Sequence, residues 1–224
     1  MTNMYHLQNE LKKEFQLERM ILFSDAVFAI AITLLVIELK IREIPRPLVT
    51  ETRLMESLAT LIPKIVGFLI SFFIIGLFWT IHHRMFGYVV NYTPKLLWLN
   101  LIFLLFVVTM PFSTSFYSEY IYNLLKSSIV VYVTNICLLG IMNSFLWHYI
   151  SNPKNNLCEG LHPLVAKYFL VHAIVMPLIF LAMGLVYVFI EPRIALWIPP
   201  FVPFILRAVT AKYRRRLKKL HIPF

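Results

Sequence analysis

Acidic residues are scarce in this chain of 224 residues, and its only aspartate is Asp25. Charged residues make up 14% of the sequence, whereas hydrophobic residues make up 59%, and the mean hydropathy is +0.74. Soluble domains are about one quarter charged, so a chain this apolar lacks the polar residues needed to cover a soluble fold. The composition therefore predicts an integral membrane protein.

Cysteine and the usual signatures of catalysis are also scarce or missing. The two cysteines, Cys137 in an apolar run and Cys158 in a polar loop, do not suggest a disulfide scaffold. The sequence has no Gly-rich phosphate loop, nucleophile elbow or Cys/His zinc pattern. His82 and His83 are adjacent, so on a helix their rings point about 100° apart and cannot form an i, i+4 metal face. We therefore expect neither an enzyme nor a bound cofactor or small-molecule substrate.

Basic residues are abundant, and the formal net charge is +10. Seven of the 21 basic residues lie in Arg207–Lys219, directly after the last apolar run. A basic segment beside a membrane span is typical of a topology signal that also contacts anionic lipid headgroups. This distribution favours a lipid bilayer over nucleic acid as the partner of the positive charge.

Six segments are long and apolar enough to cross a bilayer, which requires about 20 predominantly apolar residues. They are roughly Arg19–Ile41, Ser57–His82, Leu96–Tyr117, Ser127–Ile150, Leu164–Ile190 and Ile194–Thr210. With no soluble domain or internal repeat, residues 1–224 are expected to form a single six-helix transmembrane domain. A short N-terminus, 1–18, has no cleavage site, so the first span is expected to be retained; a basic tail, 211–224, ends the chain.

Six spans place both termini on one side of the membrane. If the termini are cytoplasmic, that side carries 14 lysines and arginines and the other side carries seven. This bias predicts cytoplasmic termini in a multi-pass protein of the cell (inner) membrane. Pro199, Pro200 and Pro203 fall within the sixth span, which is therefore a poor candidate for a straight pore wall.

Glycine is too rare for one well-known way of selecting ions. A filter of backbone carbonyls requires a loop resembling T-V-G-Y-G, and Gly87-Tyr88 is the only Gly-Tyr pair among six glycines. Any selectivity for a permeating ion would have to come from side chains that line a helix.

The first span offers such side chains. At about 100° per residue, its branched and hydroxyl residues Ile30, Thr33, Leu34 and Ile37 lie on one narrow stripe, and Asp25 lies about 140° away from Ile30. Two interpretations stay open from the pattern alone. The stripe either lines a pore, or packs against helices and lipid as apolar stripes commonly do.

Asp25 requires a partner, because an ionisable group inside a span is costly and usually faces the protein interior. Candidate partners at the same membrane level are Trp79, His82, His83 and Asn100. The favoured interpretation is structural: Asp25 accepts a hydrogen bond that fixes helix packing. The alternative is a proton relay through Asp25 and the histidine pair.

Two motifs resemble a known family at this point. Arg19-x-x-x-Phe23-Ser24-Asp25, followed by "AVFAIAITLLV", resembles the signature of the transmembrane protein 175 family of potassium channels. "WTIHHR", from Trp79 to Arg84, is similar to the motif of that family's second helix. The order, spacing and number of spans agree over nearly the whole chain.

The resemblance implies an architecture and roles for particular residues. Prokaryotic members carry one six-helix repeat and form homotetramers, and the first helix of each subunit lines a central pore. By correspondence, Ile30, Leu34 and Ile37 form an apolar constriction and Thr33 is the pore-helix threonine. The motif residues belong to a packing network of the first three helices, namely Arg19, Phe23, Ser24, Asp25, Trp79, His82 or His83, and Asn100.

The resulting expectation is an all-α, homotetrameric membrane protein that conducts K⁺ passively through a hydrophobic gate, with the permeant K⁺ as its only metal. The gate would open by dewetting or by a small rotation of the first helix. The alternative is a secondary transporter or proton-coupled cation antiporter that uses Asp25 with His82 or His83.

Overall fold

A computed structural model describes residues 2–41, 44–195 and 197–222, with side chains described from residue 11 onward except at 122. Arg42, one of the seven basic residues expected on the outer side, lies outside these ranges. The described chain is nearly all helical. Its α-helices are α1 (Thr2–Ile37), α2 (Glu51–Ala59), α3 (Ile62–Phe86), α4 (Pro94–Val108), α5 (Met110–Tyr120), α6 (Lys126–Ile150), α7 (Pro163–Phe189), α8 (Pro192–Ala195), α9 (Val202–Val209) and α10 (Ala211–Lys219).

Within the described ranges, six helical segments are long and apolar enough to cross a membrane. They are Leu11–Ile37, Glu51–Phe86, Pro94–Tyr120, Lys126–Ile150, Pro163–Phe189 and Pro192–Val209. The prediction of six spans in an all-α chain is therefore confirmed.

The first span is part of a helix that is much longer than the apolar segment of the sequence. α1 begins at Thr2 and ends at Ile37, whereas the sequence prediction ran from Arg19 to Ile41. Neither glycine nor proline occurs in this stretch, so nothing in it interrupts a helix. Its 36 residues correspond to about 54 Å, well beyond the roughly 30 Å of a hydrocarbon core. The N-terminal segment before the span is accordingly helical.

Prolines divide the later spans. The third span is two helices, because α4 ends before Thr109 and Pro111 occupies the first turn of α5. The sixth span is divided into α8, a 3₁₀ turn at Pro199–Phe201, and α9. Proline is tolerated in a first turn but removes a hydrogen bond from a helix interior. The expectation that the sixth span is not a straight pore wall agrees with this division.

α6 packs closely against α7 over much of its length. Pro177 lies inside α7 and its ring faces Gly140 of α6. A Cβ atom at Gly140 would lie 2.7 Å from Cδ of Pro177, so only glycine fits this approach. Near one end of the pair, the indole of Trp147 is fully buried and donates a 2.8 Å hydrogen bond to the carbonyl of Ala166.

Other polar contacts lie inside the bundle, nearer the end opposite Trp147. The Ser71 hydroxyl of α3 is hydrogen-bonded to Thr114 of α5 at 2.8 Å and to Tyr132 of α6 at 3.0 Å. Asn135 of α6 accepts a bond from Thr109 and donates one to Ser113. These contacts join α3, α5 and α6. They also give the polar groups the internal partners that they require within a membrane span.

Candidate functional site

One face of α1 packs against the rest of the subunit. The buried positions recur every three or four residues, as expected for a helix with one packed side. They are Leu17, Met20, Ser24, Phe28, Ala31 and Leu35. This face contacts α3, α4 and α5.

The other face of α1 is left uncovered by the part of the chain that the structure describes. Ile30 is 56% exposed, Leu34 38% and Ile37 58%, and Thr33 is also exposed. The Thr33 hydroxyl donates a 2.9 Å hydrogen bond to the carbonyl oxygen of Ile30. Because its hydrogen is used in that bond, the lone pairs of the Thr33 oxygen point away from the helix backbone and are available to accept or coordinate.

Ser24, Asn100 and His82 form a buried chain of hydrogen bonds that joins α1, α3 and α4. The Asn100 amide nitrogen donates to the Ser24 hydroxyl at 2.8 Å, and that hydroxyl donates to the carbonyl of Met20 at 2.8 Å. Nε2 of His82 lies 2.9 Å from the Asn100 oxygen. Since that oxygen can only accept, Nε2 of His82 is the protonated nitrogen and donates. Every polar side chain in this chain therefore has a partner.

Aromatic rings enclose the His82 imidazole. It stacks on Phe86, with ring centroids 4.2 Å apart, and on Phe103, with centroids 5.5 Å apart. Phe28 of α1 approaches at 5.6 Å. The imidazole is thus fixed by packing on three sides and by a hydrogen bond, and it is almost completely buried. This surrounding suits a structural role.

Asp25 is bonded to a different residue of the motif. Nε1 of Trp79 donates a 2.9 Å hydrogen bond to Oδ1 of Asp25. The Trp79 ring in turn contacts the ring of His83, with centroids 5.7 Å apart, and His83 is exposed. Among the residues that the structure describes, no hydrogen bond joins Asp25 to His82 or His83. A tryptophan indole only donates, so it cannot pass a proton on, and this geometry does not form a relay.

Two motif residues lie outside both sets of contacts. Arg19 is exposed, and its guanidinium carbon lies 5.7 Å from the centroid of the Phe15 ring, a cation–π distance. Phe23 is also exposed. Among the residues of the predicted network, hydrogen bonds therefore join two separate sets, Ser24–Asn100–His82 and Asp25–Trp79. The His83 ring contacts Trp79, whereas Arg19 and Phe23 lie outside both sets.

Sequence reasoning missed a further contact of the first helix. Just beyond the end of α1, Oε2 of Glu38 accepts a 2.8 Å hydrogen bond from the Ser115 hydroxyl of α5. It also missed Phe28, which lies one turn after Ser24 and could have been found from its position on the buried arc. In the part of the chain described here, no group of three or more His, Cys, Asp or Glu side chains could hold a metal ion.

Comparison with known proteins identifies relatives of the chain. Residues 19–111 match the sequence profile described as endosomal/lysosomal potassium channel TMEM175. A potassium channel of Chamaesiphon minutus is 34% identical over 152 residues, which cover 67% of this chain and 73% of that protein. A potassium channel of Streptomyces collinus is 32% identical over 131 residues, 58% of this chain, and the match spans 62% of the relative's length, which is less than two thirds.

A solved structure shares the fold. The crystal structure of a lysosomal potassium-selective channel TMEM175 homolog from Chamaesiphon minutus superposes with a TM-score of 0.68 and 25% identity, covering 91% of this chain and 98% of the other. Six apolar helical spans in this arrangement define a multi-pass membrane protein with the fold of that channel. The chain belongs to the TMEM175 family, which confirms the resemblance seen in the two motifs. The family is one of ion channels and not of enzymes.

Proposed function

We propose that the protein is a potassium-permeable channel that conducts K⁺ passively across the membrane. Relatives described as potassium channels support this function, and they cover most of the present chain. In the proposal four copies of the chain surround an axis that is lined by α1 of each subunit. In this proposal the protein requires no cofactor, and K⁺ is the permeant ion.

The contrast between the two faces of α1 is the observation that carries the proposal. One face is buried and hydrogen-bonded through Ser24, whereas Ile30, Leu34 and Ile37 extend from the opposite side without cover. A helix held so firmly on one side presents the other at a fixed orientation. Around a four-fold axis, these residues would form successive apolar rings, and such rings gate by dewetting.

Thr33 adds a polar group within this apolar stretch. Its hydroxyl hydrogen is bonded to the Ile30 carbonyl, so its oxygen would face a permeating ion with free lone pairs. Oxygen ligands suit K⁺, and a ring of them would partly replace the water lost in the constriction. In this arrangement selectivity comes from side chains and not from a carbonyl filter.

The proposal places both termini in the cytoplasm and the channel in the inner membrane. The excess of lysine and arginine beside the termini supports this orientation. A lipid bilayer and the other copies of the chain are then its partners.

A flux measurement in liposomes tests the conduction pathway. The wild-type protein should pass K⁺ in preference to Na⁺, and Ile30→Asn should raise the flux several-fold and weaken selectivity, because an amide lowers the dewetting barrier. Val36→Asn is the matched control: Val36 is also exposed on α1 but lies about 120° around the helix from Ile30. It should leave flux and selectivity unchanged.

Two results would contradict the proposal. Well-formed oligomers that pass no K⁺, or equal effects of Ile30→Asn and Val36→Asn, would show that α1 does not line the pathway. Flux that requires a pH gradient and vanishes in a folded Asp25→Asn variant would instead support the proton-coupled antiporter.

A further inference from the structure

A groove lies behind α1, on the side away from the proposed pore. It has a volume of about 790 Å³ and is bounded by α1, α3, α7, α9 and α10. Ile32, its contact on α1, points about 160° away from Ile30. The volume falls within the range typical of ligand-binding cavities, roughly 300–1,000 Å³. An occupant of this groove would therefore be separate from the permeating ion.

One end of the groove is apolar and partly exposed. Along α3 it is lined by Phe72, Phe73 and Gly76, and on the facing side by Pro203 and Leu206. The Phe73 side chain is 69% exposed. Gly76 leaves room in the groove, since a Cβ atom built there meets no atom within 4 Å. This part has the width and chemistry for a hydrocarbon chain.

The other end of the groove is basic. Arg207 of α9 and Arg214 of α10 both line it. Neither forms an ion pair with any residue that the structure describes. His172 of α7 also lines this end, and its Nδ1 is buried without a hydrogen-bond partner in the described chain. Two free cations and an unpaired nitrogen together favour an anionic ligand rich in oxygen.

The two ends are separated along the membrane normal as the parts of a phospholipid are. From Phe72 to Thr80, both in the lining, α3 rises by about 12 Å. The basic end lies where α9 passes into α10, at the edge of the sixth span, and the apolar end lies within the bundle. A free phosphate would satisfy the arginines only and would leave the apolar end empty.

We propose that this groove binds an anionic phospholipid, with its phosphate at Arg207 and Arg214 and one acyl chain along Phe73 and Gly76. The binding is independent of conduction, so it can be measured whether or not the protein passes K⁺. It differs from the general attraction of a basic tail to a membrane, because it depends on two particular arginines and on the space beside one glycine.

Native mass spectrometry of the detergent-purified protein tests the basic end. With equal phosphatidylglycerol and phosphatidylcholine added, the wild type should retain phosphatidylglycerol preferentially. The double variant Arg207→Gln/Arg214→Gln should weaken retention by about tenfold or more. Arg215→Gln/Arg216→Gln removes the same charge from exposed neighbours outside the groove and should keep the preference. Equal losses in the two variants would overturn the site in favour of diffuse attraction.

Filling the apolar end tests the acyl chain separately. Gly76→Leu should abolish the bound phospholipid, whereas Gly76→Ala, which fills little of the groove, should retain it. Size-exclusion chromatography checks that each variant keeps the wild-type oligomer. Undiminished retention of phosphatidylglycerol in Gly76→Leu would overturn the proposal. So would a wild-type protein that shows no preference for phosphatidylglycerol, the result expected if a neighbouring subunit covers the groove. Displacement by millimolar glycerol 3-phosphate would assign the site to a free phosphate instead.

Discussion

The indole of Trp79 donates a 2.9 Å hydrogen bond to the carboxylate of Asp25, and this bond joins α3 to α1. The partner of the only aspartate in the chain is therefore a group that can donate a hydrogen bond but cannot accept or relay a proton. A side chain that first draws attention as a possible ion site instead holds a helix in place. The ion-facing residues in the proposed pore are the uncharged ones on the other side of that helix.

Removing the indole donor should loosen α1 without altering the packed face. Trp79→Phe keeps an aromatic ring but leaves the Asp25 carboxylate without its described donor, and we expect a loss of about 1 kcal/mol in stability. Trp98→Phe is the control, because Trp98 is exposed and no hydrogen bond from it is seen in the described chain. Thermal melting of the detergent-solubilised oligomer measures both. Equal melting temperatures for the two variants would contradict a structural role for the bond.

Asn100 and Asn143, two fully buried asparagines, should respond differently to loss of their amides. Asn100→Leu leaves Nε2 of His82 without its acceptor in the interior and removes the donor to Ser24, whose own bond to the Met20 carbonyl remains; we expect a cost of about 1–3 kcal/mol. Asn143 is equally buried but neither of its side-chain polar atoms has a partner among the described residues. Asn143→Leu should therefore be neutral or stabilising. Melting temperatures compare the variants, and similar destabilisation by both would show that the hydrogen-bonded chain contributes nothing specific.

The hydroxyl of Thr33 should contribute to selectivity. Thr33→Val preserves the shape of the side chain but removes the oxygen that would face a permeating ion, so the preference for K⁺ over Na⁺ should decrease. Thr33→Ser keeps the hydroxyl and should keep the preference. Reversal potentials in asymmetric K⁺ and Na⁺ solutions measure the difference. Unchanged selectivity in Thr33→Val would exclude this oxygen from the proposed pathway.

The glycine that meets Pro177 should not tolerate a methyl group. Gly140→Ala places a Cβ 2.7 Å from a rigid proline ring, so α6 and α7 must separate, at a cost of about 1–3 kcal/mol. Gly76→Ala has open space around the new atom and should be neutral or stabilise by up to about 1 kcal/mol through helix propensity. Thermal melting distinguishes them. A Gly140→Ala variant as stable as Gly76→Ala would contradict the close approach.

The thiol of Cys158 should be unreactive at neutral pH. Burial raises the pKa of this thiol to about 11, so roughly one molecule in a thousand is ionised at pH 8, and only the thiolate is alkylated readily. Maleimide labelling in a Cys137→Ala background should be slow at pH 8 and accelerate about tenfold per pH unit toward 11. Labelling in denaturing detergent is the control and should be fast. Equal rates in the folded and unfolded protein would contradict the burial.

The raised pKa of Cys158 also makes the stability of the folded protein depend on pH. Since the pKa of Cys158 is higher in the folded chain than its ordinary value of 9.0, the folded state holds this proton more tightly. Its contribution to stability is complete below pH 9 and is lost as the pH rises from about 9 to 11.

The spans could be predicted from the sequence because length and hydropathy decide them. Six apolar runs became six helical spans, and the boundaries of the fourth and fifth spans were correct to within about one residue. The helical start of α1 at Thr2 was missed, since residues before Arg19 are polar and only the lack of helix breakers indicates their structure. The division of the third span at Thr109 depends on Pro111, which an apolar window does not register.

The sequence could predict which residues share a face of α1, but not which residue is the hydrogen-bond partner of Asp25. Helical periodicity separated the Ile30 stripe from Asp25, because 100° per residue is a property of any α-helix. Periodicity could not decide between Trp79 and the histidines as the partner of Asp25, since all three are near the end of α3. Packing determines the partner: the His82 ring stacks on Phe86 and Phe103 in the interior, where Asn100 accepts its hydrogen bond. The groove was equally inaccessible to prediction, because five helices distant in sequence form it.

The bond between Glu38 and Ser115 has a mechanical consequence for the first helix. Polar bonds hold α1 at Ser24 and Asp25, about two thirds of the way along the helix, and at Glu38, just beyond its C-terminal end. About 20 Å of helix lies between these two attachments, and it includes the whole stripe from Ile30 to Ile37. A rod fastened at two points cannot slide along its length or swing outward from one end. The movements left to the section between the two attachments are a bow and a local twist between its fixed ends.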